Sequence, residues 1–189
     1  LYRTPETSPE LLKVDKNEII DFISYSNFTE LKKALIQFLK EDIEKEKLLP
    51  SDIMVIDMDA IGSLSNRANI MTLIDLDDDY DGDLSIHMAG SLNPEDFFRE
   101  DSIVYTSIFR AKGNETFMVY IINAQRCINS LVPRSDRNAL FTAITRSKGW
   151  VRVMGYGEEM QSLCKEFEQV KKNGFKLHFD RYPGEKERE

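Results

Sequence analysis

A chain of 189 residues, 41% hydrophobic and 31% charged, is long enough for one domain with a real core. Its apolar runs, such as 117–124, are too short to span a bilayer, and residues 1–10 lack the apolar centre of a signal peptide, so a cytoplasmic protein without membrane contact is expected. The net charge of −8 excludes nucleic-acid binding driven by bulk electrostatics; any such contact must be local or shared with another domain.

The chain begins at Leu1 without an initiator Met, so it is expected to be a piece of a longer protein. Residues 1–17 read as an irregular lead-in with two prolines. Alternation over 18–25 predicts a strand with Ile20, Phe22 and Ile23 facing the core. Leu31, Leu35, Phe38, Leu39 and Ile43 recur at helical spacing, which predicts a helix over 28–47 closed by Pro50. The apolar run 53–58 reads as a buried strand, 63–76 as a helix, 84–88 as a strand and 93–99 as a short helix or turn. A strand over 103–109, a turn over 110–115 and a strand over 118–123 follow. A helix is expected over 135–147, with Ala139, Leu140, Ala143 and Ile144 on one stripe, then a strand (151–155), a helix (158–172) and a last strand (175–179). Strands alternating with helices predict an α/β domain over 18–182: three layers, a largely parallel sheet with helices on both faces. Residues 183–189 form a charged tail. In such sheets ligands sit at the carboxyl ends of strands, and the 110–115 turn leaves the end of one strand.

Several patterns suggest chemistry and fall to plainer readings. Gly155 and Gly157 follow a strand and open a helix, but Met160 occupies the third glycine position of a dinucleotide loop, and Glu158 and Glu159 would repel a pyrophosphate. Asp77, Asp79, Asp81 and Gly82 match the first half of a calcium loop, but Met88 stands where the bidentate Glu belongs. His87 and His178 are isolated, so no metal site is expected. Trp150 is expected in the core. Cys127 and Cys164 read as a buried thiol and a helix-face thiol. Ser107 and Ser147 have no partner that would make them nucleophiles. No Gly-x-x-x-x-Gly-Lys-Ser/Thr occurs, so any triphosphate must be held mainly by another domain.

Two segments resist a bland reading. The first runs through Ser107, Phe109, Arg110, Lys112, Gly113, Asn114 and Glu115; Gly113 permits a tight bend, and a carboxylate such as Glu115 can accept from a ribose hydroxyl. The second is a helix ending in Thr145 and Arg146, followed by Ser147. Arginine is always protonated, and its planar fork of donors suits a phosphate whose charge grows during phosphoryl transfer.

Together and in this order, the segments resemble motifs V and VI of superfamily 1 helicases of the UvrD/Rep type. Motif V there reads roughly Thr-x-His-x-x-Lys-Gly-Leu-Glu, and motif VI roughly Val-Ala-x-Thr-Arg-Ala. The resemblance covers residues 100–182 well, and residues 18–100 only in the order of strands and helices. It implies a RecA-like second motor domain of an ATP-dependent DNA helicase, without its own phosphate loop. Its partners would be the first motor domain of the same polypeptide, which holds ATP and Mg2+, and single-stranded DNA. Arg146 would be the catalytic arginine finger. Glu115, Lys112, Gly113 and Thr145 would line the nucleotide, joined by Tyr2 and Arg3 as a remnant of motif IV. Ser107, Phe109 and Arg110 would contact DNA. The departures are Phe109 in place of His, which forfeits a phosphate contact but offers a ring for stacking, and Asn114 in place of Leu. The alternative is a degenerate RecA-like module that binds nucleic acid or a partner protein without ATP turnover.

Overall fold

The computed structural model describes residues 19–75, 84–89, 97–128 and 133–174. Among them six parallel strands form one sheet in the order β1-β6-β5-β2-β4-β3. These are β1 (Ile20–Tyr25), β2 (Ile53–Asp57), β3 (Ile86–Met88), β4 (Ile103–Ser107), β5 (Thr116–Ile122) and β6 (Ser147–Tyr156). The helices are α1 (Phe28–Glu44), α2 (Ser63–Asp75), α3 (Ile108–Ala111), α4 (Pro133–Ile144) and α5 (Gly157–Lys172).

The central strands are apolar on both sides because both sides are covered. Successive side chains alternate between faces. Val55, Tyr105, Tyr120 and Ile122 meet Leu31, Leu35 and Leu39 of α1 and Ile70 of α2. Met54, Ile56, Val119, Ile121 and Val153 meet α3, α4 and α5 through Ile108, Leu140, Ala143, Met160 and Leu163. The α/β three-layer architecture expected from the sequence is the one observed. α1 starts where Asn27 accepts a bond from the Glu30 amide at 3.0 Å, satisfying a donor the first turn would leave open.

Boundaries moved where local geometry overrode the pattern. The strand expected over 103–109 stops at Ser107, and Phe109 lies in α3: Ile108 and Ala111 face the core while Phe109 and Arg110 face outward, a helical spacing. The helix expected to reach Ser147 stops at Ile144. Thr145 and Arg146 form a turn, and Ser147 already pairs with Thr116. Trp150 lies inside β6 and is only partly buried.

Buried polar groups are paired. Asp42 of α1 accepts from the Tyr120 hydroxyl, and Arg152 Nη1 lies 3.2 Å from both its carboxylate oxygens while the guanidinium stacks 4.4 Å over the Phe38 ring. Burial, followed by the Asp42 charge, pushes the Tyr120 phenol up; Arg152 opposes the shift. His87 is buried with Nε2 3.0 Å from the Phe97 carbonyl and Nδ1 3.0 Å from Ser102 Oγ, a structural role. Both cysteines are free, and burial pushes the Cys127 thiol up to about 12. Gly155 is required by contact: a Cβ there would stand 2.6 Å from Gln125 Oε1 and from Met160 Sδ. Gly155 therefore serves strand–helix packing, while Gly157 takes a left-handed conformation, φ +81°, where α5 begins. The acidic loop 77–82, Tyr2, Arg3, His178 and the strand expected over 175–179 lie outside the described residues.

Candidate functional site

Glu115 and Arg146 immediately precede β5 and β6, which are neighbours in the sheet. Parallel register brings them together: Thr116 pairs with Ser147, and the Thr116 amide donates to the Arg146 carbonyl at 3.0 Å. Ser147 fastens this corner. Its hydroxyl lies 3.1 Å from the Phe117 carbonyl and 2.9 Å from that of Trp150, and accepts from the Gly149 amide at 3.0 Å.

The Arg146 side chain folds back over the end of α4 and is only 18% exposed. Nε donates to the Thr142 carbonyl at 3.1 Å, one of the carbonyls a helix end leaves without an internal partner. Nη2 donates to Thr145 Oγ1 at 3.2 Å, and Nη1 stands 3.9 Å from Glu115 Oε1, whose side chain is half exposed. Lys112 and Gly113 lie on the approach to Glu115. Gly113 has φ of +87°, and a Cβ there would touch nothing within 4 Å, so glycine is favoured by backbone conformation and not by space. Lys112 is exposed and forms no ion pair among the described residues.

Ser107, Phe109 and Arg110 sit elsewhere, at the carboxyl edge of the sheet. Ser107 ends β4 level with Asp57 of β2. The Phe109 ring is 69% exposed, and Arg110 Nη1 donates to the Ala89 carbonyl just beyond β3 at 3.3 Å. A cleft of about 580 Å³ opens here, lined in part by Met58, Asp59, Ile61, Phe109, Arg126 and Tyr156. Asp59 is paired with Arg126 at 2.8 Å.

The sequence reading placed the whole 110–115 turn at the carboxyl ends, and the structure corrects this. A parallel strand must restart at the opposite edge. The segment 108–115 therefore crosses the sheet, from Ser107 at one edge to Glu115 at the other, roughly 20 Å along seven-residue β5. The residues assigned to DNA lie on the opposite edge from Glu115, Thr145 and Arg146, and one short connection that includes Lys112 and Gly113 joins the two edges.

Sequence reasoning missed Asp57. It is fully buried at the end of β2 and accepts four bonds: from Asn66 Nδ2 (2.9 Å), Tyr105 OH (2.7 Å), Asn123 Nδ2 (2.8 Å) and the Asp59 amide (2.8 Å). Asn123 presents its amide from a left-handed conformation, φ +58°. The available signal was an aspartate inside an otherwise apolar run, passed over when 53–58 was read as one buried strand.

No group of three metal-ligating side chains exists among the described residues, and no described helix is long and apolar enough to cross a membrane. Residues 102–154 match the family model of the UvrD-like helicase C-terminal domain, a span that includes both segments carrying the resemblance. No curated protein matches the chain. Among solved structures, the chain is similar to the C-terminal domain of a possible DNA helicase from Lactobacillus plantarum WCFS1, with 17% identity and a TM-score of 0.49 over 77% of this chain and 82% of that one.

Proposed function

We propose that this chain, which carries the signature of a UvrD-type helicase C-terminal domain, is the second motor domain of an ATP-dependent DNA helicase or translocase, with the motor fold over 18–182. The observation that carries the reading is the placement of Glu115 and Arg146 at one corner, on the starts of adjacent strands. A carboxylate for a ribose and a guanidinium for a phosphate are there within reach of each other. The chain carries no phosphate-loop sequence, which fits a nucleotide held chiefly by a first motor domain with its Mg2+. On closure Arg146 would donate to the γ-phosphate as charge develops, while Lys112, Gly113 and Thr145 line the same side. Ser107, Phe109 and Arg110 would meet single-stranded DNA at the far edge, Phe109 by stacking on a base. The short 108–115 connection would carry the state of one edge to the other as the cleft opens and closes.

The test is single-strand-stimulated ATP hydrolysis by the full-length parent protein. Arg146→Ala should lower kcat about a thousandfold or more while ATP binding persists. Unchanged turnover, or none in the wild type, would move the assignment to a module that binds nucleic acid or protein without hydrolysis.

A further inference from the structure

All three guanidinium nitrogens of Arg146 face partners within its own domain: the Thr142 carbonyl, Thr145 Oγ1 and Glu115 Oε1. At 3.9 Å from Glu115, Nη1 makes no hydrogen bond, so its two N–H donors are turned toward a carboxylate of its own domain and not toward a neighbouring one. Two of the three partners belong to the helix end and anchor Nε and Nη2, which leaves the direction of Nη1 to the third. Glu115 is different, because it sits on another segment, is half exposed, and is the group assigned to the ribose. The Thr116–Arg146 backbone bond and the Ser147 hydroxyl keep the two residues in register, so the carboxylate and the guanidinium start from adjacent backbone positions.

We infer that Glu115 is a positioning residue for Arg146: it holds the guanidinium off the phosphate until ribose hydroxyls engage the carboxylate. This rests on the arginine-finger reading and adds a condition to it. The sugar then contributes to turnover and not only to affinity. A nucleotide lacking ribose hydroxyls would bind with the finger still held back, so specificity for the sugar would appear in kcat.

The experiment compares ATP with 2′,3′-dideoxy-ATP on the full-length parent protein, in the wild type and in Glu115→Gln. Glu115 is half exposed and the amide keeps its shape, so the variant should fold. In the wild type, loss of the hydroxyls should lower kcat about two- to fivefold, the range expected of a partly exposed ion pair. In Glu115→Gln, kcat should be the same for both nucleotides while KM for ATP rises. A wild-type kcat indifferent to the sugar would overturn the inference. So would a Glu115→Gln enzyme that keeps the sugar dependence of kcat. Failure here is separable from failure of the functional reading, which would show instead as wild-type turnover in Arg146→Ala.

Discussion

Asp57 is the residue whose loss should cost most. Four donors converge on one buried carboxylate from β2, α2, β4 and the end of β5. Burial, then the Asp57 charge, pushes the Tyr105 phenol well above its ordinary value, so its proton stays in the bond. Asp57→Ala strands all four donors and should destabilise the fold by about 3 kcal/mol or more, read from the urea midpoint. Asp57→Asn keeps part of the network and should cost less. Equal midpoints for Asp57→Ala and wild type would show that the donors find other partners. Glu115 and Arg146 stood out in the sequence as charges ending a turn and a helix, but that parallel pairing of β5 with β6 brings them to one corner was not readable there. Asp57 did not stand out, since the apolar run 53–58 absorbed it and three of its four donors come from segments distant in sequence.

Between elements, α4 and α5 are joined by a two-pronged ion pair: Arg137 Nη1 and Nη2 donate to the two oxygens of Glu166 at 2.6 and 2.8 Å. The Arg137 bonds, with its charge, hold the Glu166 carboxyl below the usual carboxylate range, against the opposing effect of burial. A lowered folded pKa means that the pair stabilises above the unfolded carboxylate value, near 4.3, and that this contribution is lost as the pH falls through the folded value. Both side chains are substantially exposed, so the contribution is at most about 1 kcal/mol. Glu166→Gln should therefore lower the urea midpoint at pH 7 and show a smaller deficit at about pH 3, below the unfolded carboxylate value. An equal deficit at both values would assign the loss to packing instead. Element types came readily from the pattern, because α1 and the central strands have long, consistent periods. The ends did not. Ser107 and Ile144 stop their elements because the chain must turn there, which neighbouring strands decide and local residues do not announce.

At the scale of the molecule, the parallel order of the sheet followed from alternating strands and helices, but the side of the sheet on which each motif falls did not. That depends on where the chain crosses from one edge to the other, and no pattern in 108–115 states it. The net charge of −8 and the absence of a phosphate loop set a further expectation. The chain alone should release no phosphate from ATP above the buffer rate, with or without single-stranded DNA. Measurable turnover would mean that this domain holds the triphosphate by itself.

The crossing segment also constrains how this protein can vary in length. From Ser107 to Thr116 the path covers about 20 Å along the strands and about 10 Å across two strand spacings, roughly 22 Å in all. One turn of helix, the hydrogen-bonded turn from Ala111 to Asn114 and two extended steps reach about 20 Å, no more than the distance to be covered. Surface connections ordinarily absorb lost or gained residues. This one has almost no spare chain, so a single-residue deletion must unzip the start of β5 and pull Glu115 from Arg146, while an insertion would let the two edges move independently. The stretch behaves as a ruler, and its residue count is as much a part of the design as its composition.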